Sequence, residues 1–119
     1  MNIEQRTVGD VVVLSIVGDI ATNGGGASTV ADKVRSVLRD GHNRLLLDLG
    51  HVRYVDSAGL GALVQAFSAA RNRGGALKLL NVIERFNDLL VLTRLLTVFE
   101  CFDQEAEALA SFNAQPVAR

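Results

Sequence analysis

Tryptophan is absent from this chain of 119 residues, and cysteine, proline, methionine and tyrosine occur once each. The lone Cys101 has no partner for an internal disulfide, so nothing asks for an oxidising compartment and a cytoplasmic protein is expected. Histidine occurs only at His42 and His51. Together with Cys101 these lack the spacing and the number of a metal site, and no cofactor is expected. An excess of charge is also missing: 12 Lys and Arg stand against 13 Asp and Glu, a formal charge of −1. Gripping nucleic acid through its phosphates requires a basic field, as does lying on an anionic membrane, so neither partner is expected. No apolar run approaches the ~20 residues that cross a bilayer. The start, Met1-Asn2-Ile3-Glu4-Gln5-Arg6, has no apolar stretch behind its charges and does not read as a signal peptide.

What the chain does have is apolar mass: 49% of its residues are hydrophobic and 21% charged. That is too apolar for a disordered chain and enough for one real core. The length suits one domain, with an expected radius of gyration of roughly 13–14 Å. We expect a single domain over 1–114, a frayed tail over 115–119 beyond the core, and a monomer.

Local patterns place the elements. Ile3 to Val8 and Val11 to Val17 flank Gly9-Asp10, a hairpin signal, and the second run reads as a strand buried on both faces. Gly24-Gly25-Gly26 reads as a flexible loop. Ser28 to Arg39 reads as a helix, with Val30, Val34, Val37 and Leu38 on one face and Asp40-Gly41 closing it. Leu45 to Leu49 reads as a central strand. Ser57 to Arg73 reads as a helix with an apolar stripe of Leu60, Leu63, Val64, Phe67 and Ala70, ended by Gly74-Gly75. Ala76 to Leu80 is the next strand, and Phe86, Leu89, Leu90 and Thr93 outline a third helix. Val98 to Cys101 reads as a short strand, and Asp103 to Phe112 as a last helix capped by Asp103. After the hairpin, strands and helices alternate, which implies right-handed crossovers and an α/β fold with a mostly parallel sheet.

In such sheets chemistry gathers where strands end and helices begin, and the segment from Gly50 to Gly61 is such a place. Gly59-Leu60-Gly61 supplies two glycines of a dinucleotide fingerprint, but branched Val64 stands where the third is needed. No Gly-Lys-Ser/Thr run forms a phosphate loop. Val55-Asp56-Ser57-Ala58-Gly59 matches half of a nucleophile elbow, but Val55 replaces its first glycine, and only His51 on the same loop or His42 could act as base. Ser57 itself reads in two ways: as the helix's N-cap, or as an exposed serine open to phosphorylation.

The run Asp56-Ser57-Ala58-Gly59-Leu60-Gly61 after Leu45-Leu46-Leu47-Asp48-Leu49 resembles the STAS domain family, specifically its anti-sigma factor antagonists. The resemblance continues through Gly74-Gly75, Leu77-Lys78-Leu79, Asn81-Val82, Phe86 to Thr93, Leu95, Val98-Phe99 and Glu105 to Leu109, covering residues from about 3 to 112. It implies a STAS fold: a mixed, mostly parallel sheet of four to five strands with an N-terminal β-hairpin and four helices. It implies a regulator and not an enzyme. By resemblance, Ser57 is the phosphoacceptor of an anti-sigma factor that is also a serine kinase. The unphosphorylated protein binds that anti-sigma factor and frees its sigma factor, and a metal-dependent serine phosphatase resets the phosphorylated form. Asp19 and the run from Asp56 through Ser57, Ala58, Gly59 and Leu60 to Gly61 are the implied partner-binding residues. The alternative is a STAS scaffold in a larger signalling assembly, never phosphorylated. Three positions depart from the family's habits. Ala21 stands where Gly18-Asp19-Ile20 is usually followed by Asp, Glu84 replaces a frequent Pro, and Arg94 replaces a Gly.

Overall fold

The computed structural model describes residues 1–113; the expected frayed tail at 115–119 lies outside them. Val8 and Val11 pair across Gly9-Asp10, and Gly9 takes a φ of 59°, which a side chain would oppose. This two-residue turn joins β1 (Asn2–Val8) to β2 (Val11–Val17) in antiparallel register. Then come α1 (Gly26–Arg39), β3 (Arg44–His51), α2 (Ser57–Asn72), β4 (Ala76–Leu80), α3 (Glu84–Leu92), β5 (Cys101–Phe102) and α4 (Glu105–Asn113). The sheet has five strands in the order β1-β2-β3-β4-β5, and β2 to β5 run parallel. The α/β fold expected from the sequence is therefore present.

Strand alternation divides the core in two. Val12, Leu14, Ile16, Leu45, Leu47, Leu49, Leu77 and Leu79 face α1, α2 and α3 in the main cluster. Val11, Val13, Leu46 and Leu80 point to the other face, where α4 lays Ala108 and Phe112 over them. Lys78 shares this second face and is only 2% exposed. Its Nζ donates to Ser111 Oγ at 2.8 Å, sits 3.1 Å from Glu100 Oε1 and lies 4.7 Å from the Phe112 ring centre. The lysine thus ties β4 to α4 through its head while its stem fills the core. The radius of gyration is 13.2 Å.

Four local readings need correction. Gly24-Gly25-Gly26 is not a plain loop: Asn23–Gly25 forms a 3₁₀ turn and Gly26 opens α1, two residues before Ser28. Gly26 is needed there, because a Cβ would lie 2.0 Å from the Asp19 carbonyl oxygen. The face α2 buries is Gly59, Ala62, Leu63, Ala66 and Ala70, whereas Leu60, Val64 and Phe67 are half-buried at its margin. Small residues let the helix axis lie close to α1 and the sheet, so the larger apolar side chains fall to the flanks. The last strand covers Cys101–Phe102 and not Val98 to Cys101, because Leu95–Thr97 turns in a 3₁₀ helix and sends Phe99 into the core. Arg94 precedes that turn at φ 63°, a left-handed conformation that favours glycine. Finally, α4 opens at Glu105 and not at Asp103, with the Gln104 carbonyl accepting from Ala108 N–H at 3.0 Å.

Candidate functional site

The site stands at the carboxyl ends of β2 and β3. The sequential strand order has no reversal point, and α1 to α3 share one face, so these strand ends form an open rim and not a crevice. Beyond β2, Ile20 makes a parallel bridge to Val55, and Ile20 N–H donates to the Tyr54 carbonyl at 3.0 Å. The chains after β2 and β3 therefore stay together past the regular sheet.

Asp56 locks this junction. Its Oδ1 accepts from Gly59 N–H at 2.7 Å and its Oδ2 from Thr22 N–H at 2.9 Å. Asp56 has an extended backbone and is the N-cap of α2. One carboxylate thus caps one helix and clamps the loop that leads to another. Its pKa is held below the usual 3.8, chiefly by the Thr22 N–H and next by the Gly59 N–H, because both bonds favour the charged form. Gly59 completes the clasp by close approach: a Cβ there would lie 1.8 Å from the Ile20 carbonyl oxygen.

With Asp56 as cap, the reading of Ser57 as cap is set aside. Ser57 is the first helical residue, exposed to solvent. Ala58 and Gly61 are exposed beside it, Leu60 is half-buried against the core, and Gly59 is buried. Asp19 is exposed on the loop after β2, while its own carbonyl packs on Gly26. Ser57, Ala58 and Gly61 are thus exposed on the first turns of α2, Asp19 is exposed on the loop whose Ile20 packs on Gly59, and Gly59 is turned inward. Ala21 is buried, and its carbonyl accepts from Ala27 N–H at 2.9 Å near the start of α1.

Sequence reasoning missed Thr22, whose backbone is what Asp56 holds, and the groove next to the rim. That groove, about 310 Å³, is lined by Arg53, Tyr54, Phe86, Leu89 and Leu92 among others. Tyr54 is 50% exposed and Leu92 81%, and Val55 of the same groove stands two residues before Ser57.

His42 precedes β3 and Ser57 follows it, so a strand of eight residues, about 26 Å, separates them. His51 is exposed, and among the described residues no hydrogen bond joins it to Ser57. Burial raises the Cys101 thiol pKa, with the Asp103 charge adding to it. Among the described residues no three His, Cys, Asp or Glu side chains gather, and no helix is long and apolar enough to cross a membrane.

Comparison with known proteins agrees with this geometry. The family model described as STAS domain matches residues 2–108. A Thermotoga neapolitana protein, described as a candidate anti-sigma factor antagonist, is 33% identical over 72 residues, 60% of this chain. The match spans 64% of that relative's own length. Among solved structures, a candidate anti-sigma factor antagonist from Thermotoga maritima superposes with a TM-score of 0.81 at 24% identity, covering 93% of this chain and 94% of that one. The Bacillus cell-fate determinant SpoIIAA in its phosphorylated form gives a TM-score of 0.72 at 16% identity, covering 92% of this chain and 97% of that one. At such identities these two structures speak for the fold.

Proposed function

Because the chain belongs to the STAS domain family, we propose that it is an anti-sigma factor antagonist switched by phosphorylation of Ser57. In this reading the unphosphorylated protein docks its rim on an anti-sigma factor that is also its serine kinase, displacing a sigma factor. A serine phosphatase returns the modified form to the binding state. The observation that carries the reading is the division of labour between Asp56 and Ser57. Asp56 holds the helix cap and the Thr22 clamp, and among the described residues no hydrogen bond engages the Ser57 hydroxyl. The match to a candidate antagonist and the likeness to a relative seen in a phosphorylated form support it.

The energetics suit a switch. A phosphate brings about −1.5 to −2 charge. At a helix N-terminus the dipole offsets that charge by ~0.3–1 kcal/mol, so the domain tolerates it. A docked partner strips water from the same spot, and setting a phosphate against acidic or apolar surface there costs several kcal/mol. At roughly 1.4 kcal/mol per tenfold, ~3–4 kcal/mol is a few hundredfold in affinity. Asp19, Ala58 and Gly61 form the near rim, Leu60 lends an apolar edge, and the Tyr54–Leu92 surface extends the area a partner can cover.

The test is direct. Incubation with the cognate kinase and ATP adds one phosphate by intact-mass measurement, and Ser57→Ala prevents it. Ser57→Asp weakens binding to the anti-sigma partner by about tenfold or more, with circular dichroism unchanged. Labelling that persists in Ser57→Ala overturns the assignment. Undiminished affinity in Ser57→Asp, with no phosphate incorporated in the wild type, leaves the unphosphorylated scaffold in its place.

A further inference from the structure

The two edges of the sheet are unlike. The β5 edge is two residues long, which blunts it. The β1 edge runs for seven residues, contains no Pro or Gly, and is solvent-exposed at every residue but Ile3. Residues flanking a two-residue turn close the hairpin as a hydrogen-bonded pair, and such pairs alternate along the ladder. With Val8 opposite Val11, the inward bonds belong to Asn2, Glu4, Arg6 and Val8. The N–H and C=O groups of Ile3, Gln5 and Thr7 therefore point outward, and among the described residues no strand lies beyond β1 to receive them.

The charges on this edge are Glu4 and Arg6, one residue to either side of Gln5. We propose that β1 pairs with β1 of a second copy in antiparallel register about a two-fold axis through Gln5. That axis makes Gln5 face Gln5 and Ile3 face Thr7 as hydrogen-bonded pairs, using the outward groups. It places Glu4 opposite Arg6 twice, in the non-hydrogen-bonded positions where facing side chains come closest. Centring on Glu4 or Arg6 keeps the outward groups paired but sets like charges face to face in a non-hydrogen-bonded pair, where facing side chains come closest. Centring on Ile3 or Thr7 shortens the ladder and leaves both charges without a complement. The sequence of the edge thus selects a single register with a second copy. Arg6 already pairs with Glu105 of α4, so its guanidinium is held on the face from which the partner's Glu4 would approach.

The result is a ten-stranded sheet across the two-fold, against the monomer expected from the sequence. One strand pair buries less than a stable dimer requires, so the association is weak and concentration-dependent. Ser57 follows β3, and β2 stands between β3 and the β1 edge, so the pairing does not run along the start of α2. It stands independently of the proposed function.

Sedimentation velocity and light scattering, from micromolar concentration to about 1 mM, are expected to show the mass rising from 12.7 kDa toward twice that value. Glu4→Arg sets Arg against Arg at both pairs and is expected to weaken association about tenfold or more. Arg6→Glu does the same, and an equimolar mixture of the two variants is expected to associate as a heterodimer. Since Arg6→Glu also faces Glu105, Gln5→Pro supplies a second arm. It removes an outward N–H, leaves the β2 ladder bonded, and should give a folded monomer. A wild type that stays monomeric throughout overturns the proposal. So does a dimer indifferent to Glu4→Arg and Gln5→Pro, or charge variants that fail to recombine when mixed.

Discussion

Gly59 and Gly61 lie two residues apart in the first turns of α2, and the structure assigns opposite signs to the same substitution at each. Alanine is the better helix former by ~1 kcal/mol, so Gly→Ala in an unobstructed helix stabilises. Gly61 is unobstructed, with nothing beyond its own helix backbone and chain neighbours within 4 Å of where a Cβ would sit. Gly61→Ala is expected to stabilise by ~0.5–1 kcal/mol. At Gly59 the new Cβ would sit 1.8 Å from the Ile20 carbonyl oxygen and must retreat to at least 3.0 Å. The obstacle is backbone, and it cannot swing aside. Ile20 is fully buried and tied by its N–H to Tyr54 and by a bridge to Val55. Overpacking of this kind costs ~1–3 kcal/mol, and the rigid neighbour puts Gly59 at the upper end. After subtracting the gain in helix preference, Gly59→Ala is expected to destabilise by ~2 kcal/mol. That corresponds to a melting point about 8 °C lower for a domain of this size, against a rise of about 2–4 °C for Gly61→Ala.

Urea unfolding followed by far-UV circular dichroism reads both variants, with the slope m reporting whether the transition stays comparable to the wild type. If Gly59→Ala matches or exceeds the stability of Gly61→Ala at unchanged m, the close approach of α2 to Ile20 is wrong. The reasoning about the clasp would fall with it.

Two further perturbations test other parts of the structure. Asp56 has its carboxyl held below 3.8 by two backbone donors, so its contribution is complete above the unfolded value and is lost as pH falls through the folded one. Asp56→Asn is therefore expected to melt below the wild type near neutral pH, with the gap closing as pH drops under about 3.8; a gap constant with pH contradicts this. Lys78 is buried, but its partner Glu100 is 63% exposed and keeps its water when the lysine is gone. Lys78→Met, which refills the stem volume, is expected to stay within ~1 kcal/mol of wild type, while Lys78→Ala loses ~2–4 kcal/mol to the cavity. Equal losses in thermal unfolding would show that the charged head, and not the stem, holds α4.

Much of the architecture was legible in local patterns. The β-branched run Val11 to Val17, the leucines of β3 and the turn at Gly9-Asp10 each state a strand or hairpin without help from distant residues. The face of α2 was not legible, because a stripe drawn through the largest apolar residues assumes that bulk marks the core. Leu63 and Ala70 of that stripe are buried, but so are Gly59, Ala62 and Ala66, because α2 packs closely, and closeness is a tertiary property. Val98 and Phe99 looked like a strand because both are apolar, yet the 3₁₀ turn at Leu95–Thr97 spends that segment on changing direction. At the site, Asp56 and Ser57 are both good caps in isolation. The contact that separates them joins Thr22 to Asp56, 34 residues apart, and no local pattern carries it.

That contact also explains how a modification at Ser57 can be large for a partner and small for the domain. A phosphate on the first residue of α2 stands next to the Asp56 carboxylate, and repulsion between them would be damaging if Asp56 were free to turn away. It is not free: both oxygens are held by backbone N–H groups from two different segments. The cap and the clamp therefore stay closed, and the added charge remains in water, where screening limits its effect on stability. A partner seated on the rim removes that water, and the same fixed charges then act at low dielectric. In the proposed function the switch is thus thrown by docking and not by a change of fold. Phosphorylation should accordingly leave the melting point nearly unaltered while it abolishes the complex. A marked drop in the melting point of the phosphorylated chain would mean that the modification acts by opening the clasp between Thr22 and Asp56.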